Sequence, residues 1–304
     1  MKNNLFSIIK AGIFLAFFIL GNSVLAEEKV SLFVSIPPQR FFLRQLTDNM
    51  FEINVMVGPG MSPATYEPLP QQMAKLSRAK IFFSIGLPFE KGLLKKMKSV
   101  APAVKIVATD AGIKKRMMTA GEEYEHEGAG HVHGKNCRHE AGTPDPHIWL
   151  DPDLVKIQAD NMAGALMETF PDKAEIIRKN LVKFKEKLTS LSEEIVKTFE
   201  PFRGKTILVF HPAFGYFTDK AGLIQKAIEI EGKDPSPRQM VEIIREAKAE
   251  NVKIIFVQKQ FSSRAAETIA RSVDGMVIAV DPLEEDYFAC IDKLTKAFTE
   301  SLQK

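Results

Sequence analysis

Cysteine is nearly absent from this chain: Cys137 and Cys290 are the only two in 304 residues. That excludes a disulfide framework, and one disulfide is the most the sequence could form. Cys137 stands in a polar stretch and Cys290 in an amphipathic one, so the two are not expected to pair. An excess of one charge is missing as well, because 41 Lys+Arg face 38 Asp+Glu for a net charge of +3. No basic face is advertised, which argues against nucleic acid as a partner. No His-Glu-x-x-His signature of a zinc peptidase occurs. Long apolar runs are confined to the N-terminus, and nothing beyond it is apolar enough to cross a bilayer.

That N-terminal run reads as a signal peptide. Lys2 and Lys10 accompany an apolar stretch whose uninterrupted part, residues 11–20, is short of the ~20 residues a span needs. Val24 and Ala26 supply the small residues of a cleavage site, with Glu27 as the new N-terminus. Removing residues 1–26 takes away two lysines and no acid, leaving 278 residues with a charge of +1. A soluble exported protein, periplasmic in location, is expected.

Short β-type runs alternate with helical patterns in two blocks. Strands are predicted at residues 30–36, 53–57, 80–85 and 104–108, then at 206–210, 224–230, 253–257 and 276–280. Helical stretches predicted between them include residues 41–46, 71–76, 237–250 and 262–273, with a terminal helix over 283–302. Runs rich in Val, Ile and Phe separated by helices imply parallel sheets covered on both faces. The expected fold class is α/β, with two Rossmann-like lobes at residues 27–170 and 201–304 joined by a helix over 171–200. In that joining segment Ile177, Leu181, Phe184, Leu188, Leu191 and Ile195 recur at steps of four and three, one apolar stripe on a helix. Pro171 suits its first turn and Pro201 follows its end. At ~1.5 Å per residue such a helix is about 43 Å long, a rigid spine that limits hinge motion between the lobes.

Four of the six histidines, His126, His131, His133 and His139, share one polar stretch with Cys137 and five glutamates, inside a loop over residues 122–144. Imidazole, thiolate and carboxylate are the donors that hold zinc and its first-row neighbours, so this loop is an auxiliary metal site by composition. A solvated loop with idle histidines is the alternative. The other two histidines stand in ordered surroundings. His147 lies in Asp145-Pro-His-Ile-Trp-Leu-Asp-Pro152, His211 follows the strand at 206–210, and Asp281 follows the strand at 276–280. Ligands of open α/β sheets bind beyond the carboxyl ends of strands, which is where His211 and Asp281 fall. Taken singly, His211 reads more simply as an edge histidine and Asp281 as a helix cap; it is their joint placement that favours a metal site.

These residues carry a resemblance over nearly the whole exported chain. Gly60-Met-Ser-Pro-Ala-Thr-Tyr-Glu-Pro68, the block around His147, Phe210-His-Pro-Ala-Phe-Gly-Tyr-Phe217, Glu231-Gly-Lys-Asp-Pro-Ser-Pro237 and Val280-Asp-Pro-Leu283 follow in that order. The chain resembles the solute-binding proteins of bacterial zinc or manganese ABC importers, the cluster A-I group with two lobes and a backbone helix. The resemblance implies a cleft site with His147, His211 and Asp281 as ligands. It implies zinc as the leading cargo, with manganese or another divalent transition metal as alternatives. A membrane permease is the implied partner of a monomer that performs no chemistry. Binding through neutral imidazole should weaken as pH falls through the histidine range.

In one place the sequence departs from that pattern. The family places a histidine between Ser-Pro and Thr-Tyr-Glu-Pro, and here the residue is Ala64. Water, Glu67, a loop histidine or Cys137 could fill the gap, and Glu67 and Tyr66 could otherwise orient the site. Two further functions compete with import: a soluble metal buffer or adhesin with a degenerate cleft, and a zinc hydrolase with Glu67 as base. Restoring the ligand is informative. Ala64→His is expected to tighten zinc binding in calorimetric titration of the metal-stripped protein, and unchanged affinity would rule Ala64 out as the missing donor.

Overall fold

The computed structural model describes residues 29–118, 143–229 and 233–303. The leader at 1–26 and the four loop histidines lie outside them, as does Cys137.

The first lobe is a parallel sheet of β1 (Ser31–Val34), β2 (Glu52–Val55), β3 (Ile81–Ser84) and β4 (Lys105–Ala108) in the order β2-β1-β3-β4. Its crossovers are α1 (Pro37–Thr47), α2 (Pro70–Leu76) and α3 (Pro88–Val100), each opened by a proline whose fixed φ suits a first turn. The second lobe repeats the order as β6-β5-β7-β8, from β5 (Thr206–Val209), β6 (Ile224–Ala227), β7 (Ile254–Gln258) and β8 (Met276–Val280). Two doubly wound α/β lobes thus emerge, as the alternation of apolar runs implies. Strands β1, β2, β3, β5 and β6 each stop short of the run that suggested them, although backbone hydrogen bonds such as Met56 N–H to the Val34 carbonyl and Ile228 N–H to the Val209 carbonyl carry the pairing past the strand ends.

One helix the periodicity did not reveal is α4 (Pro152–Thr169), with Asp151 accepting the Asp153 N–H at its start. Its buried face includes Val155, Gln158, Ala159, Met162, Ala163 and Leu166, half of them alanine or glutamine, which dilutes the apolar stripe. Then comes α5 (Ala174–Phe199), preceded by a single 3-10 turn at Pro171–Lys173. At ~1.5 Å per residue its 26 residues run about 39 Å. The helix packs on α1 and α4 of the first lobe and on α6 (Gly215–Ala221) and α9 (Tyr287–Leu302) of the second. The terminal helix begins at Tyr287 rather than 283, because Asp286 caps it by accepting the Ala289 N–H.

Phe184 of α5 is the joint. Its ring lies 6.5 Å from Phe41 and 5.9 Å from Phe42 of α1, and 6.2 Å from Phe288 of α9. Tyr287 meets Phe42 edge-on at 5.2 Å. One hydrophobic core therefore runs from Leu32 to Phe298 through both lobes, and a second cluster fills the far side of the second sheet between β5, β7, α7 (Pro237–Ala249) and α8 (Arg264–Ser272). Polar contacts reinforce the joint: Arg40 and Arg44 of α1 both pair with Glu285 in the loop before α9.

Phe184 is 1% exposed, and truncating it opens a cavity that both lobes share. Phe184→Ala is expected to cost about 3–5 kcal/mol of stability in urea unfolding, the usual range for a buried Phe. A loss under about 1 kcal/mol, the scale of a surface substitution, would show that the lobes do not depend on this contact.

Candidate metal centre

All four strands of the second sheet end in a polar residue at the same edge. His211 stands just past β5, Glu229 just past β6, Gln258 closes β7, and Asp281 follows β8. The parallel register places these ends side by side, facing the first lobe across the cleft. From the opposite side comes His147, at the start of a 3-10 turn over Ile148–Leu150. The turn is fixed by Asp145, whose Oδ1 accepts both the His147 N–H at 2.9 Å and its ring Nδ1 at 2.7 Å. Across the cleft, Glu229 Oε1 lies 2.6 Å from His211 Nδ1. Gln258 brackets the His211 backbone, accepting its N–H at 3.2 Å and donating to its carbonyl at 2.6 Å.

With a carboxylate as acceptor, each ring carries its proton on Nδ1 and presents a lone pair at Nε2. The two Nε2 atoms stand 3.4 Å apart, the rings at 71°. Two acceptors aimed at one point repel unless something positive lies between them. Two nitrogens at ~2.0–2.1 Å from a tetrahedral ion stand about 3.3–3.4 Å apart, so the spacing fits a shared divalent metal. Burial pushes His147 below the ordinary histidine range, against the opposing pull of Asp145, which favours the neutral, metal-binding form. Phe261 stacks on His211 at 4.9 Å and Trp149 lies 5.2 Å from His147, so both rings have fixed apolar walls.

Asp281 is placed differently from its partners. Its Oδ1 accepts from Gln260 Nε2 and from the Leu283 N–H, both at 3.0 Å, and Oδ2 stands 4.0 Å from Lys259 Nζ. Among the described residues no three His, Cys, Asp or Glu side chains converge as a metal cage. His147 and His211 are brought together; Asp281 is absent from the cavity wall that both histidines line, its carboxylate engaged with Gln260 and in its own turn, while Pro282 and Leu283 after it do line that wall. Glu67 is exposed and absent from the cavity wall, while Ala64 lines the same cavity as both histidines. Tyr66 is committed to Gln72 and so braces the loop rather than the rings. Cys290 is buried, its thiol pushed up by that burial and directed at the Asp281 carbonyl at 3.4 Å.

Sequence reasoning assigned no role to Asp145, Glu229 or Gln258. Asp145 lay in the quoted motif, two residues before His147, the spacing of a side chain that closes an Asx turn. Glu229 sat inside an apolar run read as strand, and a carboxylate at the end of such a run was the available signal. A further bridge joins the lobes behind His147: Tyr216 of α6 donates to the Asp145 carbonyl and accepts the Arg116 N–H, both at 3.0 Å. Burial pushes its phenol up to about 12.

A family model described as zinc-uptake complex component A, periplasmic, matches residues 32–301. The zinc-binding protein AdcA of Streptococcus pyogenes serotype M3 is 25% identical over 90% of this chain, and the chain spans 56% of that protein's length. A crystal structure of ZnuA superposes with a TM-score of 0.81 at 32% identity, covering 90% of this chain and 99% of that one. A ZnuA deletion mutant with zinc bound gives a TM-score of 0.80 at 32% identity, covering 90% and 98%.

Removing either carboxylate behind the rings should loosen the site without unfolding the lobe. Asp145→Asn and Glu229→Gln are each expected to lower zinc affinity about 10–100-fold in competition with a fluorescent chelator, while circular dichroism stays unchanged. Unaltered affinity in both variants would mean that the Nδ1 contacts do not set the ring orientation.

Proposed function

Because this chain belongs to the periplasmic component A family of zinc-uptake complexes, we propose that it captures zinc between its lobes and hands it to the membrane permease of an ABC importer. The leader at residues 1–26 directs it across the inner membrane and is cleaved, and the protein acts as a monomer in the periplasm. Zinc is cargo, and capture is an exchange of its water for protein donors rather than catalysis.

The observation that carries this reading is the 3.4 Å approach of the His147 and His211 Nε2 atoms, each ring tied by Nδ1 to its own carboxylate. Imidazole suits zinc, copper and nickel, whereas manganese favours oxygen donors, so zinc is the leading cargo. Asp281 serves as the carboxylate ligand by exchanging its Gln260 contact for the metal, on a loop whose Gln260, Pro282 and Leu283 line the cavity. Ala64 offers no donor, so at least one coordination position is open to an outside group. The His-rich segment holding His126, His131, His133 and His139 gathers metal for the cleft.

Calorimetric titration with zinc of the metal-stripped exported chain lacking residues 122–140 tests this. One saturable site is expected, abolished by His147→Ala or His211→Ala and weakened by Asp281→Ala. A site that survives both histidine substitutions would move the metal elsewhere. Failure to bind without the segment would favour a buffer whose metal is held by the loop alone.

A further inference from the structure

The two histidines sit at the base of a cavity of about 610 Å³. A water occupies about 30 Å³ in the liquid, so completing the coordination of one ion with water uses only a small part of that space. The volume instead falls in the ~300–1,000 Å³ range of small organic ligand sites. Its walls match that class too. Leu87, Met118, Phe261 and Leu283 line it together with Ala64 and several prolines, so most of the surface is apolar. Polar groups are few and of definite sign. Lys91 of α3 faces the cavity and has no carboxylate partner among the described residues, and Lys115 faces it while paired at 2.6 Å with Asp110.

That pair is held where it is by the backbone. Gly86 adopts φ +85°, and a Cβ there would meet Lys115 Nζ at 2.2 Å and Asp110 Oδ2 at 2.6 Å. The wall next to Lys91 is therefore built around a charged pair pressed against bare backbone. At the floor, two imidazoles converge and no third His, Cys, Asp or Glu joins them among the described residues. Even with Asp281 recruited, the described residues leave a four-coordinate metal one donor short. A metal left with open positions by the described residues, a mostly apolar chamber beside it and a lysine in the chamber wall together call for an anionic organic molecule that itself holds the metal.

Resting on the reading of His147 and His211 as the metal pair, we propose that the cleft takes zinc as its complex with a small carboxylate chelator. The imidazoles bind the metal, the chelator supplies the donors that the described residues lack, and Lys91 pairs with a carboxylate left free of the metal. No bond other than metal coordination forms or breaks. Amino acids and hydroxycarboxylates share this chemistry.

The metal-stripped exported chain is incubated with zinc alone, with zinc and labelled citrate, and with zinc and labelled L-histidine. It is then desalted and assayed for bound metal and label. One labelled chelator per protein is expected, retained only when zinc is present and lost in His147→Ala, with the retained label showing which class the chamber prefers. Lys91→Glu, an exposed substitution checked by circular dichroism, is expected to cut chelator retention about tenfold, the scale of one charge-assisted contact. Retention unaffected by Lys91→Glu would overturn the role of this lysine. Zinc held in a His147-dependent site with neither label retained would overturn the chelate proposal while leaving zinc capture intact. If His147→Ala changes neither zinc nor label, the metal pair itself is wrongly placed and both readings fall.

Discussion

Two nitrogen lone pairs held 3.4 Å apart by different lobes are the constraint on which this structure turns. Neither ring could be kept there by its own lobe alone, since a rotation of a few degrees over a domain's breadth moves an edge by more than a bond length. The chain answers with a joint in which α5 touches both lobes and Phe184 is clasped between α1 and α9. The contacts nearest the site repeat the theme. Trp149 donates at 2.8 Å to the carbonyl of Pro282, and Tyr216 donates to the carbonyl of Asp145. Each fastens the turn that carries one site residue to the opposite lobe. Arg40 and Arg44 fasten the loop after Asp281 through Glu285. The cleft is a fixed seam between lobes that share one core.

Much of this was legible because strong periodicities and strand ends are local properties. The α5 stripe is buried as its spacing implied, at Ile177, Phe184, Leu188 and Ile195. His211 and Asp281 follow their strands as expected, and the sheet order brings them to one edge. What escaped was what depends on partners. Helix α4 buries alanines and a glutamine, which carry little apolar signal although they pack closely on α5. Asn180 and Ser192 on α5 are not among the six apolar stripe residues, yet both are buried and hydrogen-bonded to Asp48 and Asp153 at 2.9 and 3.1 Å.

Side-chain direction was the least legible layer. The place of Asp281 follows from the strand before it, but its heading is decided by Gln260 and the Leu283 N–H, groups that no one-dimensional pattern ties to it. Glu67 shows the same limit. Three residues beyond Ala64, it nonetheless lies outside the cavity wall, while Tyr66 is buried and bonded to Gln72.

The placement of acid relative to base explains what kind of ion such a seam selects. Asp145 and Glu229 each sit on the far nitrogen of a ring, at 2.7 and 2.6 Å, so their charge reaches a bound cation through imidazole rather than by direct contact. A carboxylate in that position fixes the tautomer and raises the basicity of the opposite nitrogen. Moving the same two acids forward would produce an oxygen-lined site suited to harder ions such as manganese or magnesium. Held one ring behind, they balance a divalent charge while leaving nitrogen as the atom the metal meets. In the proposed site, the order carboxylate, imidazole, metal would favour a borderline ion.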